Sequence, residues 1–428
     1  MVFWKKNSVI SFLLFSAAFA FFCVNLQEPT TANFDEFHYI PAMKSFAYLG
    51  KTVNAEHPPL GKELMALGIL AGGDGPIGWR IMSVIFGALS LVGIFWIGVD
   101  FWGSRRTGFL CYLLSICNGL IYVQSRIGML DIFLFCFLTY ALLYFFRIFL
   151  DSQNAQRNLN FTGLFLGLAS AVKWYSLVPW GLMGIFLFAI KLPFWKELSL
   201  PISKRSRNRL ISFSHNVSMS KILLGMLLIP FGVYFVTYLP YLWMEGGADN
   251  LGSIFFDLQY RIWDGQRRVV GQHVYQSQFW QWPLILRPIW YHYVEGPPTF
   301  MRGIMLLGNP WQLWTGLLAL LYSYKRAFWN RDGLAWAVCF LWTIFYGSWL
   351  IIPRKVAFYY YYIPAGTFLT FSIVYFLENF FAGQRKKWAI WIYLGIAVAC
   401  FLFFLPIFGD FLVPTKWMRY WMWSIDWI

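Results

Sequence analysis

Two adjacent carboxylates, Asp35 and Glu36, are residue types that could do chemistry. Neighbouring residues on a helix or turn point in different directions, so the pair is not a dyad that shares one proton. One acid can face a reaction centre while the other is held by its neighbours. The structural alternatives are a solvated acidic turn or an N-cap for the amphipathic stretch at 40–50.

A pair of prolines separates His57 from a predicted helix at about 60–70. Proline cannot lie inside a helix but suits its start, which places the helix boundary there. The N-terminus of such a helix favours an anion, and His57 and Lys62 would flank that anion. An ordinary interfacial helix with a snorkelling Lys62 is the alternative.

Charged residues also stand at the edges of apolar runs. Arg126 and Asp131 open the run at 128–149, and Lys173 lies between two short runs. A charge at membrane depth is costly and usually marks a functional site or an ion pair. Arg126 and Asp131 are five residues apart, so they do not share one face of a continuous helix. An interfacial anchor at a helix end is the alternative for each.

Arg354 and Lys355 precede four consecutive tyrosines, the third of which is Tyr361. Tyrosines in this number are typical of an aromatic belt at a membrane interface. A lipid phosphate would account for the two cations, since arginine can contact it bidentately. Farther back, Trp280 and Trp282 suit either sugar stacking or an interfacial layer.

A metal site is not indicated by the histidines. The five histidines, His38 and His57 among them, form no pair with metal-ligand spacing. Asp35, Glu36 and His57 could still approach one another in three dimensions, which leaves a divalent cation open as a cofactor.

The composition sets the class of protein that positions these residues. Of 428 residues, 59% are hydrophobic and only 12% are charged. Soluble proteins average about 25% charged residues, so a soluble or disordered chain is excluded. The sequence predicts an all-α polytopic membrane protein that forms a single domain over residues 1–428.

Eleven apolar runs are continuous enough to cross a bilayer as helices rather than as alternating strands. The predicted spans are 8–26, 77–99, 107–124, 128–149, 161–173, 175–190, 222–242, 303–323, 334–352, 357–378 and 388–408.

The charge distribution predicts the orientation. Of the 34 Lys and Arg residues, 19 fall in connections on one side of these spans, with 5 of the 19 Asp and Glu residues. The positive-inside rule makes that side cytoplasmic, including the basic loop 191–221. The net charge of +15 is therefore not a nucleic-acid footprint and instead meets membrane lipids. The long loops 27–76 and 243–302 lie outside, where we expect the active site.

As a set, the motifs resemble the protein O-mannosyltransferase family. Segments 34–38 and 57–62 resemble its first outer loop, and 125–131 looks like its Arg-x-x-x-Leu-Asp element. The stretch 276–291 is similar to its Ser-x-x-Trp-x-Trp-Pro pattern, and 308–310 also matches. The resemblance covers most of the chain in the same order, and it is specific as a set although each motif alone is weak.

The resemblance implies a GT-C glycosyltransferase fold, with amphipathic helices in the first outer loop. It implies transfer of mannose or a related hexose from a polyprenyl-phosphate carrier to Ser or Thr hydroxyls of exported proteins. Asp35 matches the family's proposed general base, and Arg126 matches the arginine that contacts the carrier phosphate. We expect Glu36 to orient acceptor or metal, and His57, Lys62, Arg354 and Lys355 to serve the donor site. His38, Asp131, Tyr361, Trp280 and Trp282 are candidate substrate contacts.

Two departures from the family pattern affect these expectations. Tyr361 stands where the family's late motif usually has histidine, which puts a donor-phosphate role there in doubt. No MIR-like domain is inserted in the second loop, which favours a bacterial-type enzyme of the inner membrane with its site on the periplasmic face.

The acceptor and the oligomeric state stay open. A GT-C enzyme that glycosylates a lipid or lipid A is one alternative. A transporter or flippase for a lipid-linked or anionic solute is another, and a membrane scaffold is a third. Against transport, the sequence shows no matching pair of Gly- or Pro-broken spans, and the acids lie in a loop rather than at midplane.

Overall fold

The computed structural model describes residues 2–192, 202–246, 250–268, 273–296, 299–352, 354–381 and 388–427. The described chain is mostly helical, as the composition predicts. In the first half, the helices are α1 (Val2–Cys23), α2 (Glu36–Ala47), α3 (Leu60–Gly72), α4 (Pro76–Trp102), α5 (Arg105–Ile116), α6 (Gly119–Gln124), α7 (Asp131–Leu150), α8 (Ala155–Ser170) and α9 (Leu177–Lys191). In the second half, they are α10 (Lys204–Asn216), α11 (Met219–Leu223), α12 (Ile229–Val236), α13 (Leu239–Gly246), α14 (Leu251–Arg268), α15 (Pro310–Trp329), α16 (Gly333–Tyr346), α17 (Ile363–Phe380), α18 (Trp388–Phe408) and α19 (Met418–Trp421).

The polytopic helical membrane architecture is confirmed. Within the described part of the chain, seven helices are long and apolar enough to cross a membrane, and the apolar helix at 7–23 is shorter. The seven are Pro76–Trp102, Asp131–Leu150, Trp174–Lys191, Met219–Gly246, Gly333–Leu350, Tyr359–Phe380 and Trp388–Phe408. Helices α5, α6, α8 and α15 overlap the other predicted spans, so the count of eleven stays a prediction.

Two predicted spans have the wrong boundaries. The predicted helix 107–124 breaks between α5 and α6, because the Asn118 side chain accepts a hydrogen bond from the Leu120 amide and begins a new helix. The predicted helix 303–323 instead starts at Pro310, where Asn309 accepts from the Gln312 amide as the N-cap. The residues before it are extended and belong to a sheet.

The first long loop, at 27–76, carries the two expected helices, α2 and α3. Helix α3 starts directly after the paired prolines, as predicted, and it packs against α2 and α4. The contact with α4 is close, since a Cβ added at Gly68 would lie 2.3 Å from the Gly78 carbonyl oxygen. Glycine at 68 therefore lets α3 lie directly on the start of α4.

A small antiparallel sheet joins the second long loop, at 243–302, to the residues after α18. Its strands are β1 (Ile289–Glu295), β2 (Phe300–Leu306) and β3 (Val413–Pro414), in the order β1-β2-β3. The Trp427 indole donates to the Ile285 carbonyl oxygen at 2.7 Å, and the Trp290 indole donates to that of Trp427 at 3.0 Å. These contacts place the tail and the second loop at the same end of the helices.

The basic loop at 191–221 contains helix α10, which packs against α7 and α9. The residues 193–201 of that loop, with Lys196, lie outside the described residues, as do Arg385, Lys386 and Lys387. The most deeply buried of the membrane helices is Tyr359–Phe380, which runs through the centre of the helical core.

Candidate active site

The two acids of the first loop have separate surroundings. Glu36 is completely buried, and its carboxylate forms a bidentate ion pair with Arg80 on α4, at 2.8 and 2.9 Å. The Gly128 amide donates to the same carboxylate at 2.8 Å, and the Asn33 amide donates at 3.1 Å. The remaining N–H groups of the guanidinium donate to the carbonyl oxygens of Leu26, Pro29 and Thr31. Glu36 thus ties the first loop to α4 and to the segment before α7.

A cavity of about 450 Å³ lies where α7, α14 and the turn between α8 and α9 meet the segment before α17. Its lining includes six residues that the sequence singled out: His57, Asp131, Lys173, Arg354, Lys355 and Tyr361. Others on the wall were not predicted, among them Trp263, Gln266, Arg267 and Trp349. We call this space the site cavity.

Lys173 and Asp131 form a buried ion pair on one wall of the site cavity. The Lys173 ammonium lies 2.8 Å from the Asp131 carboxylate. It also lies 5.3 Å from the ring centroid of Tyr360 and 5.8 Å from that of Tyr361. Aromatic faces stabilise a cation at these distances, so Lys173 is held on three sides.

Arg354 and Lys173 both lie over the ring of Tyr361. Its guanidinium stacks over the Tyr361 ring at 5.0 Å and donates to the Gln266 side chain at 3.1 Å. Gln266 in turn donates to the Glu56 carbonyl oxygen at 2.7 Å, next to His57. Helix α14 therefore connects the late cationic segment to the first loop, a connection that no spacing in the sequence indicates.

Asp35 precedes α2 and is partly buried, and its carboxylate does not cap the helix. Burial raises the pKa of Asp35 to about 6. The charge of Lys173 lowers that pKa, while the charge of Asp131 raises it. These influences show that Asp35 lies within electrostatic reach of the site cavity's ion pair. A carboxyl group with this pKa is ionised at neutral pH yet basic enough to accept a proton.

His57 lines the site cavity, whereas Lys62 does not. Burial and the charges of Lys173 and Arg354 keep the pKa of His57 well below its usual range, so the imidazole is neutral. The Lys62 ammonium instead donates to the backbone carbonyl oxygens of His57 and Asn54. Lys62 therefore holds the loop that carries His57, and its predicted contact with donor phosphate stays a prediction.

Arg126 also lies outside the residues that line the site cavity. Its guanidinium donates to the carbonyl oxygens of Phe22 at 2.8 Å and Asn25 at 3.1 Å, and also to that of Val24. It stacks over the Tyr122 ring at 4.9 Å. Arg126 thus binds the C-terminal end of α1, and the phosphate contact implied by the family motif stays a prediction.

The remaining aromatic and histidine candidates differ in position. Trp282 is buried, and its ring packs edge-on against Trp349 of the site cavity at 5.0 Å. Trp280 and His38 are exposed and do not line the site cavity. Among the described residues, no group of three or more His, Cys, Asp or Glu side chains is placed to hold a metal ion.

Two family models match the chain. The model of dolichyl-phosphate-mannose-protein mannosyltransferase matches residues 73–244. The model of the C-terminal four-transmembrane region of protein O-mannosyltransferase matches residues 252–427. Together they cover most of the chain.

Curated relatives agree over almost the full length. The polyprenol-phosphate-mannose–protein mannosyltransferase of Corynebacterium glutamicum is 26% identical, over 93% of this chain and 88% of its own. The Mycolicibacterium smegmatis protein of the same name is 25% identical, over 99% of this chain and 93% of its own.

Solved structures show the same fold. A chain of the Saccharomyces cerevisiae protein O-mannosyltransferase Pmt1-Pmt2 complex, bound to the sugar donor, superposes with a TM-score of 0.76 at 14% identity, over 98% of this chain and 92% of its own. ArnT from Cupriavidus metallidurans, bound to undecaprenyl phosphate, gives 0.60 at 16% identity, over 92% of this chain and 64% of its own. With both family models matched in order, the chain belongs to the protein O-mannosyltransferase family and is a membrane glycosyltransferase of the GT-C fold.

Proposed function

We propose that the enzyme transfers mannose from a polyprenyl-phosphate donor to Ser or Thr hydroxyls of exported proteins, with inversion at the anomeric carbon. One observation carries the proposal: the site cavity gathers Lys173, Arg354 and Lys355, and the charges of the first two reach the Asp35 carboxyl. The names of the two curated relatives support a polyprenol-phosphate-mannose donor and a protein acceptor.

The three cations serve the donor phosphate. Their positive charge stabilises the phosphate anion that departs when the glycosidic bond breaks, and this stabilisation grows where water is excluded. A lipid phosphate is a good leaving group, so the reaction requires no general acid. Arg354 is oriented by Gln266 and by the Tyr361 ring, so its guanidinium does not have to be ordered when the donor binds.

Asp35 serves the acceptor. A hydroxyl with a pKa far above neutral needs a base in hydrogen-bond reach as it attacks, and the Asp35 carboxylate is that base. Attack from the face opposite the departing phosphate gives one displacement and inverts the anomeric carbon. Glu36 supports this geometry from the neighbouring position, since its bonds to Arg80 and Gly128 fix the start of α2.

The apolar wall of the site cavity suits the carrier lipid. Leu134, Ile352 and Ile363 line it beside the cations, so a hydrocarbon chain and a phosphate can be held together. We place the site cavity on the extracytoplasmic face of the bacterial inner membrane, because 19 of the 34 Lys and Arg residues fall in the opposite set of connections.

Reconstitution with a labelled donor tests the proposal. The purified chain is mixed in detergent with polyprenyl-phosphate-[¹³C]mannose and a Ser/Thr-containing peptide, and products are followed by mass spectrometry. We expect a mannosylated peptide, and Asp35→Asn should lower its rate by about 10²–10⁴-fold while donor binding persists.

Asp74→Asn is the matched control for this experiment. It removes a carboxylate from the same loop, where Asp74 forms a partly exposed ion pair with Lys44. The control should transfer mannose at nearly the normal rate. Near-normal transfer by Asp35→Asn would refute the general base, and mannose appearing only on added lipid would refute the protein acceptor.

A further inference from the structure

A second cavity, of about 770 Å³, lies at the far end of the helices from the site cavity. Helix α7 begins at Asp131 in the site cavity and ends at the second one, which Phe145 and Phe149 line. Its 20 residues span about 30 Å at 1.5 Å per residue, so the two spaces lie at opposite membrane faces. We call the second space the basic cavity, after Arg205 and Arg209 on its wall.

The wall formed by the membrane helices is aromatic. Phe145 stacks on Phe340 at 5.7 Å, and Phe149 contacts Phe186 at 6.0 Å. On the opposite side, Phe213 of α10 packs against Phe149 at 5.3 Å. Helix α10 therefore lies over the ends of the membrane helices and covers the basic cavity.

Arg205 and Arg209 are one helical turn apart on α10, so both point to the same side. Within the described residues, neither guanidinium forms an ion pair or a hydrogen bond. Burial and the charge of Arg205 both lower the pKa of Arg209, which shows two like charges held close together. An anion between them would relieve that repulsion.

The two carboxylates on the wall of the basic cavity are already engaged elsewhere. Asp100 pairs with Arg147 at 2.6 Å. Asp332 caps α16 at the Leu334 amide, at 2.9 Å, and accepts from the Tyr375 hydroxyl at 2.6 Å. The basic cavity therefore presents unbalanced positive charge above an apolar aromatic wall.

We propose that the basic cavity is a binding site for an anionic glycerophospholipid of the cytoplasmic leaflet, separate from the donor site. The lipid phosphate would lie between Arg205 and Arg209, which are suited to charge-assisted bonds with phosphate oxygens. The acyl chains would lie on Phe145, Phe149 and Phe340. The match of an anionic head to the arginines and of hydrocarbon to the phenylalanines identifies this class of ligand.

Native mass spectrometry of the full chain tests the site. The protein is released from detergent with phosphatidylglycerol or with phosphatidylcholine, and the bound fraction is measured against lipid concentration. We expect tighter binding of phosphatidylglycerol, and Arg205→Gln/Arg209→Gln should weaken it about tenfold, since charge-assisted bonds are lost.

Lys204→Gln/Lys221→Gln is the matched control, because it removes two exposed charges that do not line the basic cavity. This variant should bind phosphatidylglycerol like the unaltered protein. Unchanged thermal melting of both variants shows that neither has unfolded.

Competition identifies the ligand further. Polyprenyl phosphate and inorganic phosphate are each added to the protein loaded with phosphatidylglycerol. Equal loss of lipid in both double variants would refute the site. Displacement by inorganic phosphate at concentrations as low as those of polyprenyl phosphate would refute a lipid ligand. Polyprenyl phosphate that binds more tightly than phosphatidylglycerol, and loses that binding in Arg205→Gln/Arg209→Gln, would refute the glycerophospholipid.

Discussion

Glu36 and Arg80 form a completely buried, bidentate ion pair, although 44 residues separate them in the chain. The ion pair gives Glu36 surroundings that differ from those of the neighbouring Asp35. Both carboxylate oxygens of Glu36 accept hydrogen bonds from other residues of the protein. The pKa of Asp35, in contrast, responds to charges of the site cavity. Glu36 therefore stabilises the fold, and the proposed chemistry falls to Asp35.

Glu36→Gln should lower the free energy of unfolding by about 3–5 kcal/mol, because it leaves the buried Arg80 guanidinium without its counter-charge. Loss of thermal stability in detergent, followed by tryptophan fluorescence, measures the effect. Glu63→Gln is the matched control: burial raises the pKa of Glu63 to about 8, so that side chain is already neutral near pH 7. Equal melting of the two variants would contradict a structural role for Glu36.

The pH dependence of kcat/KM should follow the ionisation of Asp35. A general base acts in its deprotonated form, so activity should be complete above about pH 7 and fall as the pH drops through about 6. Lys173→Gln should move the midpoint to higher pH, because the Lys173 charge lowers the pKa of Asp35. Lys44→Gln, a change at a surface ion pair, should leave the midpoint in place. If the midpoint did not move in Lys173→Gln, the pH dependence would not come from the ionisation of Asp35.

Arg354→Gln should raise the KM for the polyprenyl-phosphate donor by about 10- to 100-fold, through loss of a charge-assisted phosphate contact. Initial rates at varied donor concentration measure this. Arg268→Gln serves as the comparison, since Arg268 is exposed near the end of α14, pairs with Asp264 and does not line the site cavity. A normal donor KM in Arg354→Gln would place the phosphate elsewhere.

Arg126→Gln distinguishes anchoring of α1 from phosphate binding. Three backbone carbonyl oxygens lose their charged donor, so the unfolding free energy should fall by about 1.5–3 kcal/mol while the donor KM stays near normal. Thermal melting and initial rates are measured on the same preparation. A raised donor KM with unchanged melting would favour the phosphate role that the family motif implies.

Continuous apolar runs predicted the helical membrane fold well, because a bilayer requires them. The paired prolines also placed the start of α3 correctly. The breaks at Asn118 and Asn309 were missed, since hydropathy averages over a single capping residue. The Asn309-Pro310 pair is a helix-start signal that could have corrected the second boundary.

The sequence predicted which residues form the site better than it predicted the contacts between them. Asp131, Arg354 and Tyr361 were singled out and do line one cavity. The partners Arg80 and Gln266 were missed, because each acts across a distance in the chain that leaves no periodic signal. Lys173 was noted as a charge between two short spans, and only the fold shows its ion pair with Asp131.

The third strand of the outer sheet comes from beyond the last long helix. Val413 of β3 pairs with Met301 of β2. The Trp427 indole donates to the Ile285 carbonyl oxygen before β1, and the Trp427 carbonyl oxygen accepts from the Trp290 indole. During synthesis, strands β1 and β2 are therefore made before four further helices, α15 to α18. Strand β2 gains its second neighbouring strand only after α18. A chain that stops within α18 therefore leaves one edge of β2 without a neighbouring strand, and an unpaired strand edge is a template for pairing with other chains.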